Sequence, residues 1–293
     1  MQAVNMQVDQ SATAGLAGRL SRIARRYPSA AIGCVVLAVM ILVGILAPFL
    51  GTVSPNELSL SRRLLPPSES AWFGTDGFGR DIYSRVLYGT HVSLFIGFTV
   101  AVLSAGIGLL VGLISGFVRP LDAVLMRITD GLMSIPSILL AIALMALIRG
   151  SVTTVIVAIT IAEVPRVTRL VRSVVLTLRE QVYVEAAVAS GVRVPSIILR
   201  HILPNTVAPM MVQATYIFAS AMIIEAALSF IGAGVPPDVP TWGNIMADGR
   251  SLWQIQASIV FIPAAFLSVT VLAVNMMGDG LRDALDPRLK RRV

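Results

Sequence analysis

Long apolar runs constrain this sequence more than any other feature. A helix needs about 20 residues to cross the roughly 30 Å hydrocarbon core of a membrane, and its backbone groups must bond to one another there. Six runs are therefore predicted to be membrane-spanning helices. They cover residues 30–50, 92–118, 132–148, 152–164, 208–231 and 255–277.

The composition favours a single membrane domain. Of 293 residues, 56% are hydrophobic and 13% are charged, where about 25% is usual in soluble domains. We expect an all-α integral membrane protein with a transmembrane domain at 30–278, an N-terminal segment at 1–29 and a tail at 279–293. The first run is too long for a signal peptide and no small-residue cleavage site follows it, so we predict an uncleaved anchor.

The fourth run is short because Glu163, Pro165 and Arg166 interrupt it. Its helix is predicted to leave the membrane and to continue through Arg169 and Arg172. With the N-terminus inside, 17 of the 23 basic residues fall in cytoplasmic segments and 6 outside. This bias predicts that both termini lie in the cytoplasm (N-in/C-in), and the excess of arginine indicates contact with anionic lipid, with no nucleic acid as a partner.

Glycine recurs every fourth residue in the second run, at Gly108, Gly112 and Gly116. Small residues at this spacing share one helix face and let another backbone come close. The partner is either another helix of the same chain, which we favour, or a second subunit.

Motifs for catalysis are missing from the sequence. A phosphate-binding P-loop needs Gly-Lys-Ser/Thr, and the sole lysine, Lys290, lies between Leu289 and Arg291. The glycines of FGTDGFGRD lack dinucleotide-binding spacing and predict a turn, with Asp76 near the start of an amphipathic helix. The two histidines and one cysteine form no metal-ligand pattern, so we predict no metal site and no enzyme.

Glu225 is the ionisable residue that lies deepest in a predicted span. A charge at the centre of a span costs about 2.5–3.5 kcal/mol, so the carboxylate must face a cavity or a partner. It either lines a transport pathway or bonds to a neighbouring helix, and the sequence leaves both open. Glu163, nearer the inner end, is expected to pair with Arg166 or Arg169.

Residues 165–204 place 40 residues between two spans, whereas helix connections usually take about 2–8. We predict a helix around Glu185 that stops at Gly191 in a left-handed cap. A second short helix is predicted to start at Pro195 and to end before Pro204. This insert either rests on lipid or uses its small residues to let another protein dock.

Four stretches of sequence resemble a known family. EAAVASGVRVPSIILRHILPN is similar to the EAA loop of bacterial ABC-importer permeases, whose pattern is E-A-A, three residues, Gly, nine residues and I-x-L-P; His201 replaces the isoleucine. RHILPN resembles the dipeptide/oligopeptide/nickel subgroup. FGTDGFGRDIYSRVLYGTHVSL, EAALSFIGAGVPPDVPTWGNIM and NMMGDGLRDALDPR resemble its C-type permease. The resemblance covers about 72–288 and is weak in 1–29 and 55–70.

The resemblance implies a six-helix subunit with the type I ABC importer permease fold in the bacterial inner membrane. It implies a heterodimer with a homologous B-type permease, two cytoplasmic ATPases that bind ATP and Mg²⁺, an extracytoplasmic binding protein, and no cofactor in this chain. The loop at 166–205 would be the coupling element. Its expected ATPase-contacting residues are Glu185, Ala186, Ala187, Gly191, Arg193, Pro195, Leu203 and Pro204.

Two other functions remain as alternatives. A proton-coupled secondary transporter would need an acid or base paired with Glu225 inside the membrane, and none is evident. An intramembrane hydrolase would need a nucleophile and a base at one depth, but His91 and His201 both fall outside the predicted spans.

Overall fold

The computed structural model describes residues 25–147 and 150–285. Most of the predicted N-terminal segment, Arg149, and the tail from residue 286 onward, including Lys290, lie outside the described residues. Regular structure in the described part is helical, apart from two isolated β-bridges in the loop before residue 82. The helices are α1 Pro28–Leu46, α2 Ile82–Phe117, α3 Arg119–Met133, α4 Ser137–Leu147, α5 Val152–Arg179, α6 Val182–Ala189, α7 Val194–Ile197, α8 Leu203–Phe230, α9 Trp242–Gly249 and α10 Ser258–Leu285.

Four helical segments of the described residues are long and apolar enough to cross a membrane. A fifth candidate is the pair α3 and α4, which meets the same test only when the two helices are taken together. Helix α5 does not meet it, because charged residues occupy its second half. The structure thus has four or five candidate spans, and the predicted six are not confirmed. The four are Pro28–Phe49, Ile82–Phe117, Val194–Phe230 and Ser258–Leu285.

The third predicted span, 132–148, does not form one straight helix. Its first residues complete α3, whose polar and apolar residues lie on opposite faces, and the apolar α4 starts only at Ser137. The two helices are bent by 90° at this break. Pro136 explains the break, since proline disfavours the helical conformation of the residue before it. The second predicted span is instead longer than expected, because α2 already begins at Ile82.

Helix α5 confirms that the fourth run continues beyond its apolar part. It extends without interruption through Arg169 and Arg172 and includes Pro165. The Ser151 side chain caps its start by accepting a hydrogen bond from the Thr154 backbone N–H. The predicted ion pair is confirmed as well, with Arg166 Nη1 3.5 Å from Glu163 Oε2.

The three glycines of α2 lie against three valines of α5. A Cβ added at Gly108, Gly112 or Gly116 would come within 2.4–2.6 Å of Val167, Val171 or Val175 respectively. Both sets advance by four residues in the same direction, so the two helices run parallel along this contact. All three valines are buried. This glycine face therefore packs within the chain.

A buried ion cluster joins the start of α2 to α9. Arg80 and Arg85 both bond to Asp76, at 2.6 and 2.8 Å, and both bond to Asp248 of α9, at 2.7 and 2.8 Å. The helix itself starts later than the sequence predicted, because Asp81, and not Asp76, accepts the capping bond from Ser84. Breaking such a buried pair leaves an uncompensated charge, so the cluster fixes α9 against α2.

The sequence predicts that the second short helix of the insert ends before Pro204, and this prediction is wrong. α7 continues through a π turn, Ile198–Ile202, directly into α8. In the π turn the backbone N–H of Leu203 bonds to the carbonyl of Ile198, five residues earlier. Proline breaks a helix partly because it lacks an N–H, and here it sits in the first turn of α8, immediately after the wider turn. The helix therefore continues past it.

We expect Gly112→Ala to lower the free energy of unfolding by about 1–3 kcal/mol, since the new methyl group overpacks the contact with Val171. Gly106→Ala is the matched control, because no atom lies within 4 Å of its added Cβ. The control should be neutral or stabilise by up to about 1 kcal/mol through helix propensity. Thermal unfolding of the purified variants measures both effects, and equal stabilities would contradict this packing.

Candidate functional site

The insert is built around the left-handed turn that ends α6. Gly191 has a φ of +74°, a conformation that glycine adopts without steric cost. Its backbone N–H bonds to the carbonyl of Val188 at 3.0 Å, and that of Val192 bonds to Ala187 at 3.1 Å. These two bonds form a Schellman cap. The chain thereby leaves α6 in a fixed direction and enters α7.

Most of the residues expected to contact a partner are exposed in this chain. Buried side chains on the opposite side of the insert, Val184 and Ile197, hold it against the bundle. The structure brings α6, the turn and α7 together as one compact element, while Leu203 and Pro204 lie farther along, at the start of α8. The exposed members are Glu185, Ala186, Gly191, Arg193, Pro195 and Pro204, and the partly buried ones are Ala187 and Leu203.

A cavity of about 340 Å³ lies beside the insert. Its lining includes Glu185 from α6, Arg119 and Asp122 from α3, and Arg179 from the end of α5. Three hydrogen bonds join the surrounding helices. Arg172 donates to both carboxylate oxygens of Asp122, at 2.5 and 2.7 Å, and Arg179 donates to the carbonyl of Gly116 at 2.8 Å. The part of the insert that contains α6 and α7 thus adjoins the charged ends of α2, α3 and α5, which these hydrogen bonds hold together.

His201 lies within the π turn and is partly buried. Its ring is 6.2 Å from that of Tyr183, which precedes the Glu-Ala-Ala sequence in α6. The residue that departs from the general pattern therefore packs against α6 across the insert. Within the described residues, no group of three or more His, Cys, Asp or Glu side chains could hold a metal ion.

Comparison with known families decides what kind of protein contains this element. Residues 107–291 match the family described as "Binding-protein-dependent transport system inner membrane component". Residues 20–67 match "N-terminal TM domain of oligopeptide transport permease C". The chain belongs to this family of inner-membrane permeases. It is thus a non-catalytic transmembrane component of an ABC transport system.

Curated relatives match this permease over nearly its full length. It is 51% identical to "Probable peptide ABC transporter permease protein y4tQ" of Sinorhizobium fredii, over 92% of this chain and 93% of that protein. It is 44% identical to "Dipeptide transport system permease protein DppC" of Alkalihalophilus pseudofirmus, over 89% and 86%. It is 38% identical to "Oligopeptide transport system permease protein OppC" of Bacillus subtilis, over 89% and 86%.

A solved structure shares the fold. The permease superposes on a chain of the MetNI methionine ABC transporter, in an inward-facing conformation, with a TM-score of 0.58. The match covers 69% of this chain and 96% of that chain at 22% sequence identity. At this identity the likeness concerns the fold alone.

Glu225, the other residue singled out by sequence, is enclosed in the core of the permease and is 1% exposed. Its carboxylate accepts a hydrogen bond from the Ser229 hydroxyl at 2.9 Å, and the Thr241 side chain, which caps α9, lies beside it. Glu225 thus links α8 to the start of α9. This geometry fits the structural alternative better than the pathway alternative.

We therefore expect Glu225→Gln to retain substrate uptake, since the amide oxygen can still accept from Ser229. Glu225→Leu should lower the free energy of unfolding by about 1–3 kcal/mol, because the buried hydroxyl loses its acceptor. Uptake by the complete transporter and thermal unfolding of the purified complex test the two variants. Loss of uptake in Glu225→Gln at unchanged stability would instead assign the carboxylate to the pathway.

Proposed function

We propose that this chain is the C-type permease subunit of an ATP-driven importer of di- or oligopeptides or a related small solute. The observation that carries this proposal is the match to peptide-transport permeases along about nine tenths of the chain. The relatives named for peptide transport include proteins 51% and 44% identical to it. The chain would supply half of the translocation pathway.

The proposed assembly contains a homologous B-type permease, two cytoplasmic ATPases and an extracytoplasmic substrate-binding protein. ATP and Mg²⁺ would bind to the ATPases, and this chain would need no cofactor. The absence of a P-loop in the sequence supports this division of labour. The family description, which names binding-protein-dependent transport, supports the need for a binding protein.

The proposed topology has six spans with both termini in the cytoplasm. In it, the bent pair α3 and α4 contributes the third span, and α5 the fourth. The distribution of basic residues supports this orientation. The contact of α2 with α5 supports it as well, since a helix with charged residues can cross a membrane when another helix shields it. The segments at 1–29 and 279–293 would then be cytoplasmic.

In this scheme the insert is the coupling element and docks into a groove of one ATPase. ATP binding would close the two ATPases and move the docked insert as a rigid body. The residues from Val194 to Phe230 form one helical segment that includes a candidate span. A displacement of the insert would therefore be transmitted along α8 and would open the translocation pathway toward the outside of the membrane.

Gly191→Trp tests the coupling role. No atom of the described residues lies within 4 Å of a Cβ added at Gly191, so the isolated chain has room for the indole, whereas a docked ATPase would not. The left-handed φ of +74° strains the backbone of this variant in either state. We expect uptake by the assembled transporter to fall at least tenfold, while the binding protein still captures substrate. Uptake of radiolabelled peptide into proteoliposomes measures this effect.

Gly191→Asn separates docking from backbone strain. Asparagine tolerates the left-handed conformation and has a small side chain, so this variant should retain most of the uptake. Thermal unfolding of both variants is compared at the same time. Uptake at the original rate in Gly191→Trp would contradict the coupling role, as would an equal loss in Gly191→Asn.

A further inference from the structure

Arg166 of α5 is an exposed arginine on the surface of this chain. The Arg166 side chain is 40% exposed. Its neighbour Val167 packs on Gly108 of α2, and α2 ends just before Arg119. With α5 as the fourth span of the proposed topology, and at 1.5 Å per residue, Arg166 lies about 16 Å from the polar end of α2, inside a hydrocarbon core of about 30 Å and not in the cytoplasmic segment expected from the sequence. An exposed charge at this depth requires a polar neighbour outside the chain.

Two neighbours hold the Arg166 guanidinium in place, and neither accepts a hydrogen bond from it. Glu163 Oε2 is 3.5 Å from Arg166 Nη1, and the Tyr216 ring of α8 lies 5.2 Å from the guanidinium carbon. The tyrosine is 52% exposed. Arg166 donates no hydrogen bond to another residue of the described ranges. Its donors are therefore positioned and available.

The same region collects polar groups where α5 meets α8. Gln213, Tyr216 and Ser220 are spaced three and four residues apart and so share one face of α8. Both carboxylate oxygens of Glu163 and the amide nitrogen of Gln213 are buried, and none of them has a hydrogen-bond partner among the described residues. Ser220 faces Glu163 without making a well-formed hydrogen bond. We call these five residues, Glu163, Arg166, Gln213, Tyr216 and Ser220, the polar seam.

Lipid tails cannot form hydrogen bonds with the polar seam, whose Arg166 and Tyr216 are exposed. Its open end must face water, solute or another subunit. A planar guanidinium with free N–H groups matches a carboxylate, which it can bind through two parallel hydrogen bonds. Every unmodified peptide carries such a group at its C-terminus, whatever its side chains are.

We propose that Arg166, held by the ring of Tyr216, binds the terminal carboxylate of the transported peptide within the translocation pathway. This inference rests on the proposed function and names the part of the substrate that this chain recognises. Glu163 is a positioning residue that holds the guanidinium from behind. Gln213 and Ser220 continue the polar seam along α8, on either side of Tyr216.

The test uses the complete transporter in proteoliposomes, with its binding protein, and compares uptake of radiolabelled tri-alanine with uptake of its C-terminal amide. We expect the wild type to take up the acid at least about tenfold faster than the amide. Arg166→Gln should reduce this ratio to about one. Because the binding protein is the same in both preparations, a change in the ratio assigns the discrimination to the permease.

Arg169→Gln is the matched control, one turn farther along α5. Its guanidinium is 51% exposed but is already paired with Asp130 at 2.6 Å, so the ratio should be unchanged. Tyr216→Phe keeps the ring over which the cation lies and should preserve the ratio, whereas Tyr216→Leu should lower it.

Three results would overturn the carboxylate site: a wild-type ratio near one, an unchanged ratio in Arg166→Gln, or loss of the partner permease from the purified Arg166→Gln complex. The last would show that the guanidinium serves the subunit interface. Failure of the wild type to take up tri-alanine or other peptides at all would contradict the proposed function itself. Peptide uptake with an unchanged ratio contradicts only the carboxylate site.

Discussion

The contact between α2 and α5 is the interaction on which the rest of the bundle depends. Helix α5 carries Glu163 and four arginines, too many charges to span a lipid bilayer alone. Three glycines of α2 let its backbone approach the valines of α5 closely. The contact directs Glu163 to the interior and leaves the Arg166 side chain partly exposed. It also brings Arg179 to the carbonyl of Gly116, which ties the end of α5 to the end of α2.

Continuous helical structure connects the exposed insert to the interior of the bundle. The Schellman cap at Gly191 fixes the angle between α6 and α7, and the π turn carries the helix onward past Pro204. Had the helix ended at Pro204, a loop would separate the insert from α8 and absorb any displacement. Because the helix continues from Val194 to Phe230, a displacement of the insert can be passed along α8 toward Tyr216.

Local signals in the sequence predicted local structure well. Gly191 and Pro195 marked the cap of α6 and the first turn of α7, because each has a strong conformational preference of its own. The predictions failed where a wider context decided. Apolar character hid the bend at Pro136, and a π turn removed the break expected at Pro204. The meeting of Arg166 with Tyr216 joins residues 50 positions apart, and helical periodicity alone contains no information about which helices become neighbours.

Two buried carboxylates show why environment, and not residue type, separates structural from functional charge. Glu225 and Glu163 are both nearly inaccessible. Glu225 accepts a hydrogen bond from Ser229 and lies beside Thr241, the residue that caps α9. Its carboxylate is therefore bonded within the fold. The Glu163 carboxylate has no hydrogen-bond partner in the part of the chain that the structure describes, and the Arg166 guanidinium that pairs with it is exposed at the surface. A fold that needed only a neutral core would bury an apolar side chain there at lower cost. An incompletely satisfied pair that opens outward is therefore the stronger sign of a ligand.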